Sequence, residues 1–461
     1  MSRPLSLGLL SASLLLILVA LGALVFLSFG DDTAPASNPT SAAPSTTPPA
    51  SATPSKSAVP HASPTGVAGI LPPSGTATGP AEHEGARALA HVNELAKEPR
   101  VSGTAAESRA AQYIAAQFAS FGYVAEVMEF EFEGDRFRAG EVTLDGRTIE
   151  ALTLAGSPGG KASATAVYIG LADQPGISGK DIKGKMAVAD RGTLNFSEKY
   201  QNAKDAGAIG LIVVNNRPGP FSGNLTTLAE FPVVGVSQED GAAVLEAAKA
   251  GGRTIAIDAP PTVGNTKALN VIAKPTPEST CQVVVGGHFD SVPGAPGAND
   301  NASGTANVIE LARATAADGL DEGLCFAAFG AEESGLYGSE ALIARFEEDG
   351  ILPRFMLNLD VTGIGNGVEV IGSSQAAKDA LRIAKAAGIP AVPSSLPANS
   401  GSDHESFANA GVEVVFLTSG DFGTIHSPQD VAGDIEVEAL DWVGDAGLLV
   451  IKNLLAVVAR G

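Results

Sequence analysis

Five side chains between His288 and His426 could together hold two divalent cations: His288, Asp300, Glu333, Asp360 and His426. Three carboxylates and two imidazoles suit zinc or a similar ion, and a carboxylate shared by two such ions lets them stand roughly 3.5 to 4 Å apart. A single cation would leave this much negative charge poorly compensated. Glu332 adjoins Glu333, but successive side chains point in different directions, so the pair can divide the work. Glu333 is assigned to metal. Glu332 is assigned to the proton, taking it from the attacking water and passing it to a leaving amine. Asp290, two residues beyond His288, is placed to accept the other imidazole N–H and fix its tautomer. Any one of these residues alone would more often be structural or surface decoration. Their joint placement carries the reading of a two-metal hydrolase.

That placement depends on strands. The apolar run Val283-Val284-Val285 is β-type, and Gly286-Gly287 closes it just before His288. Cys325 to Phe329 is a second such run, ending on Gly330-Ala331-Glu332-Glu333. Met356 to Leu359 ends on Asp360, and Val414 to Leu417 precedes the loop with His426. Asp300 lies in the polar turn Gly297 to Gly304, ahead of helix-like spacing at Ala306, Ile309 and Leu311, near a strand-following loop or a helix N-terminus. In an open parallel sheet, ligands collect beyond the carboxyl ends of the strands, so all these groups fit one crevice.

The motifs Gly286-Gly287-His288-Phe289-Asp290-Ser291, Gly297 to Gly304, Phe329 to Ser339, Asn358-Leu359-Asp360 and Ile425-His426-Ser427-Pro428 closely resemble those of di-zinc aminopeptidases of the bacterial leucyl aminopeptidase and aminopeptidase Y type. The resemblance spans roughly residues 84 to 456. It implies an α/β fold, a mixed and mainly parallel central sheet flanked by helices (the zinc exopeptidase fold), with an inserted β-rich protease-associated domain. It also implies two Zn²⁺ bridged by Asp300, one completed by His288 and Asp360 and the other by Glu333 and His426. Glu332 would be the general base and Asp290 the support of His288. Some relatives carry a tyrosine near the last histidine that helps hold the oxyanion. Here the last tyrosine is Tyr337, and the loop before His426 offers Thr418, Ser419 and Thr424 instead. Asp403-His404 also recurs in the family and is read as a buried polar support.

Between residues 137 and 262 short β-like runs (Ala164 to Ile169, Met186 to Val188, Ile209 to Val214, Val233 to Val236) alternate with Gly-rich turns, and no histidine occurs. This module cannot supply imidazoles to the metal shell. It looks like a protease-associated domain, which in this family covers or borders the cleft; a merely packing role stands beside that. Ser157 to Gly160 reads as an internal turn and Pro260-Pro261 as the far linker. The peptidase domain is then split into residues 83–136 and 263–461. Residues 84 to 125 look helical, with Ala106, Ala110, Ile114 and Phe118 in register and Gly122-Tyr123 as the stop. Helices are also expected between Ser374 and Gly388 and from about Ile435 to Val458.

Composition sets outer limits. The 461 residues, 44% of them hydrophobic, suffice for one large core and a smaller one. The net charge of −22, from 29 basic against 51 acidic residues with no offsetting basic patch of interleaved aromatics, argues against a nucleic-acid partner. The Gly-rich segment at 294–304 lacks the Gly-Lys-Ser/Thr ending of a phosphate loop, which disfavours nucleotides. Pro4 to Gly30 is uncharged and long enough to span a bilayer. Residues 1–30 are therefore expected to be a signal anchor rather than a cleaved signal peptide, with the body extracytoplasmic, cell-membrane bound or secreted if cleaved. Residues 31–82, rich in Pro, Ser, Thr and Ala, are expected to be a disordered stalk. Cys281 and Cys325 each lie seven residues before a site residue, at similar depth, so a disulfide and a pair of free buried thiols both remain open.

Substrate polarity follows from missing arginines. A carboxypeptidase must hold a terminal carboxylate, yet after Arg354 only Arg382 and Arg460 occur. An acidic crevice suits a free amine, so peptides or proteins with a free N-terminus are the expected substrates. A metallocarboxypeptidase is the enzyme alternative, and glutaminyl cyclisation is disfavoured by the full two-metal ligand set. A non-catalytic receptor-like protein of the same fold is the alternative of another class.

Overall fold

The computed structural model describes residues 63–460 other than 136, 137, 222, 226, 227, 320 and 397–399. The expected membrane anchor lies outside the described residues. Among those residues, no helix is long and apolar enough to cross a membrane.

A nine-stranded mixed sheet organises the peptidase part. Its centre is four adjacent parallel strands: Leu324–Phe329, Val283–His288, Phe355–Leu359 and Glu413–Thr418. Every residue of the first three is buried, which explains why they are apolar apart from His288 and Asn358, since helices cover a parallel sheet on both faces. Alternate residues serve alternate faces. Val283, Val285, Phe326 and Leu357 pack with Ile114, Phe118, Ile309 and Ile451 from helices on one side. Val284, Ala327 and Met356 pack with Leu342, Phe346 and Phe407 from helices on the other. The sequence-based helices near the C-terminus occur as Gln375–Ala386 and Val437–Val458.

Two expectations need correction. The stalk does not run to residue 82: Ser63–Leu71 is an edge strand, antiparallel to Val124–Asp135. The apolar Val67-Ala68-Gly69-Ile70-Leu71 breaks the Pro/Ser/Thr composition, and pairing there covers an otherwise open sheet edge. Farther on, the carbonyls of Thr78, Pro80 and Glu82 accept hydrogen bonds from Arg313. The helical stretch over 84–125 is likewise two helices, Gly85–Leu95 and Ala105–Ser120, with strand already begun at Val124. Pro99 cannot donate an amide hydrogen bond and disfavours helix in the residue before it. Thr104 then caps the second helix by accepting the Glu107 N–H.

Strands Val124–Asp135 and Val263–Lys274 pair antiparallel, with Asp135 opposite Val263. The chain between them forms a closed seven-stranded barrel running from Arg138 to Ala259. Its parallel strands Met186–Asp190, Gly210–Val214 and Val233–Val236 bury one set of side chains with Val244 and Ala247 of helix Gln238–Ala250. The alternate set packs with Tyr200 and Ala203 of helix Phe196–Asp205. Cys281 and Cys325 form a disulfide with a Cα–Cα distance of 5.1 Å. Cys325 is in register with Val284 on the neighbouring strand, and Cys281 lies just before that strand, so the two sulfurs meet.

Candidate metal centre

The four central strands deliver their site residues at one edge. His288 ends its strand, Asp360 directly follows Leu359, Glu332 and Glu333 follow Phe329, and His426 lies on the loop after Thr418. Asp300 comes from the turn Ala298–Ser303, immediately ahead of helix Gly304–Asp318. Close packing requires glycine here: a Cβ on Gly287 would lie 2.4 Å from the Leu359 carbonyl oxygen, and one on Gly304 would lie 2.2 Å from it. Ala331, Val361 and His426 have φ of 56°, 52° and 56°. Left-handed backbone at non-glycine residues costs about 1 kcal/mol or more apiece and clusters at functional sites. Ala331 adjoins Glu332, Val361 adjoins Asp360 and His426 is itself a candidate ligand; Asp145, Ala172, Cys281 and Leu336 share the conformation away from the site.

All five candidate ligands converge, and Asp300 is the hub. Its Oδ1 lies 3.2 Å from His288 Nε2, and its Oδ2 lies 3.0 Å from His426 Nε2. His288 Nε2 also faces Asp360 Oδ1 at 3.3 Å, while His426 Nε2 faces Glu333 Oε2 at 2.9 Å. Two ligand sets result, His288/Asp300/Asp360 and Asp300/Glu333/His426, each with donor atoms within 4.8 Å of one another. Glu332 belongs to neither set, and its Oε2 stands 3.9 Å from His288 Nε2.

These residues fit a pair of cations. Asp360 Oδ1 and Glu333 Oε1 are buried without a hydrogen-bond partner, as atoms awaiting a metal would be. Burial alone would lower the imidazole of His288, but the charges of Glu332 and Asp360 and the contacts with Asp290 and Asp300 lift it well above its usual range. His426 is raised in the same way against burial, by Glu333 and Asp300. Burial pushes Glu333 up to about 7. The carboxylates thus demand positive charge at two points, and cations would supply it while leaving the imidazoles neutral as ligands.

Asp290 lies 3.5 Å from His288 Nδ1, longer than an ordinary hydrogen bond. It also accepts the backbone N–H groups of Glu332 and Glu333 and the hydroxyl of Ser102. One carboxylate therefore ties the His288 loop to the paired glutamates. Asp403 is fully buried, and burial drives it up to about 7 against the pull of His288. The His404 ring packs on Phe416 at 4.9 Å. The hydroxyls of Thr418 and Ser419 both donate to the Val361 carbonyl, so they brace the left-handed residue after Asp360 instead of facing an oxyanion.

Several supports had no signal in the sequence reading. Asp430 accepts the N–H groups of Asn299 and Asp300 at 2.6 and 3.0 Å, holding the hub from four residues beyond His426. Ser402, in the same short motif as Asp403, donates to Asp360 Oδ2 and accepts from Asn358 Nδ2, both at 2.8 Å. Buried Arg100, in the break between the first two helices, donates to the carbonyls of Phe289, Pro296 and Gly297. Beside the metal ligands a cavity of about 300 Å³ opens, with Val361, Leu396, Phe416, Phe422 and Ile425 among its walls. Among the described residues lining it there is no lysine or arginine.

The α/β sheet with paired His-carboxylate sets at its C-terminal edge defines a two-cation hydrolase of the zinc exopeptidase fold. Residues 270–451 match the model of peptidase family M28, and residues 152–244 match that of the PA domain. Aminopeptidase YwaD of Bacillus subtilis is 33% identical over 372 residues, 75% of this chain and 79% of that protein. BSAP, a zinc aminopeptidase from Bacillus subtilis, has a structure similar with a TM-score of 0.69 at 29% identity, covering 80% of this chain and 95% of the other. An aminopeptidase from Aneurinibacillus sp. strain AM-1 is similar with a TM-score of 0.58 at 30% identity, covering 81% and 94%. This chain belongs to peptidase family M28 and carries an inserted PA domain.

Proposed function

We propose that the protein is a zinc aminopeptidase that removes residues one at a time from the free N-terminus of peptides, acting outside the cytoplasm. The observation that carries the reading is Asp300, whose two oxygens face two different His-carboxylate pairs. His288, Asp300 and Asp360 would hold one ion, and Asp300, Glu333 and His426 the other. When bound, the ions polarise the scissile carbonyl and acidify water. Glu332 takes the proton of the attacking water and returns it to the leaving amine. Asp290 keeps His288 and the two glutamates in mutual register. The acidic groups pair with the substrate ammonium, and the apolar wall of the cavity receives an apolar first side chain such as leucine.

With limits at residues 137 and 262, the PA domain would enter and leave between strands Val124–Asp135 and Val263–Lys274 of the peptidase sheet. An anchor at residues 1–30 would tether the body outside the membrane. Anilides and peptides offered in matched free and N-acetylated forms test the polarity. Cleavage of the free forms alone is expected; equal cleavage of both, or release from the C-terminus, would overturn it.

A further inference from the structure

His426 is the candidate ligand least supported by the sheet. It lies between strand Glu413–Thr418 and helix Val437–Val458, far from either, with a left-handed φ and 40% of its side chain exposed. Its loop is held within the peptidase domain by Asp430 and by Asn299, whose amide donates to the Asp421 carbonyl. The segment immediately around His426 has a different support. Arg217 of the inserted barrel donates from Nη1 to the Gly423 carbonyl at 2.6 Å, three residues before His426. Two residues after His426, Pro428 packs so closely on Gly219 that a Cβ there would lie 2.5 Å from Pro428 Cγ. The same barrel loop reaches the chain after His288: a Cβ on Gly294 would lie 2.9 Å from Pro220 Cγ.

The barrel loop is itself anchored. Asn215 donates to the Gly219 carbonyl, Glu239 accepts the Gly219 N–H, and Arg191 donates to Asn215 while its guanidinium lies 4.8 Å from the Phe221 ring centre. A chain of hydrogen bonds and close contacts therefore runs from the barrel to both flanks of His426.

We infer that the inserted domain clamps the His426 loop, and that Arg217 is a positioning residue for the Asp300/Glu333/His426 cation. The inference rests on the two-zinc reading above. It makes the PA domain a direct support of the loop that carries His426, whereas its contact at Gly294 falls six residues beyond His288. A ligand held in place before the ion arrives binds it more tightly, because less loop freedom is lost on binding.

The test is zinc titration of the full chain against a chromogenic chelator, with kcat and KM measured alongside. Arg217 is exposed, so loss of its one hydrogen bond should weaken one of the two zinc constants by roughly three- to ten-fold. The other constant should be unchanged. Arg217→Lys, which keeps a donor, should restore most of the loss. Gly219→Ala, which leaves Arg217 in place but pushes the loop off Pro428, should weaken the same constant. His426→Ala identifies that constant by abolishing it, and adding Arg217→Ala to that variant should leave the remaining one unaltered. Wild-type constants in both Arg217→Ala and Gly219→Ala would overturn the clamp while leaving the two-zinc reading intact. Equal weakening of both sites with a lowered Tm would also overturn it, as general destabilisation. A wild-type chain that holds fewer than two ions would instead defeat the reading on which the clamp rests.

Discussion

Glu332 is the residue whose replacement separates cation binding from turnover. It is partly buried beside His288 yet lies outside both ligand sets, so its carboxylate is free for proton transfer. Glu332→Gln keeps size and burial but removes the basic oxygen. The variant should fold and retain two cations while losing about 10² to 10⁴ in rate. Elemental analysis and kcat measured on one preparation check this, and near-normal turnover would remove Glu332 from its role. The neighbouring Glu333 differs only in direction: its Oε2 meets His426 at 2.9 Å.

Among the elements, the turn Ala298–Ser303 carries the heaviest duty, because it presents the carboxylate shared by both ligand sets. Asp430 holds that turn through two backbone N–H groups, and Asn299 secures its own side by accepting the Gly363 N–H. Asp430→Ala would leave two buried donors without partners. Supports of this kind change metal affinity by about 10- to 100-fold when removed. Calorimetric zinc titration of Asp430→Ala should show a loss in that range, with both ions affected since both use Asp300. Unchanged affinity would mean that the turn keeps its shape unaided.

For the whole molecule, the disulfide links one central strand to the segment leading into its neighbour, closing a loop of 44 residues. Loop-closure entropy assigns such a link about 4 kcal/mol, with measured values commonly about 2 to 4. Replacing both Cys281 and Cys325 by serine should lower the unfolding free energy by that amount in denaturant titration. A change under about 0.5 kcal/mol would show that the surrounding sheet already holds the segments together. The bond also suits a chain that matures in an oxidising compartment, in keeping with a body outside the cytoplasm. The barrel leaves the sheet undisturbed because it enters and leaves at the paired residues Asp135 and Val263.

The sequence by itself determined the central strands and the candidate ligands. A strand buried on both faces is largely apolar, so polar residues at its end, such as His288 and Asp360, stand out against it. Period and turn residues likewise made the barrel strands and the C-terminal helices legible. Only the tertiary structure decided what supports those ligands. Asp430, Ser402, Arg100 and Arg217 act across the fold through scattered hydrogen bonds, which impose no periodicity on the chain and no fixed spacing from the residues they hold. It also decided that residues 63–71 complete a sheet edge and that Cys281 and Cys325 are bonded. Pairing between distant strands depends on register in space, and neither composition nor local propensity specifies that register.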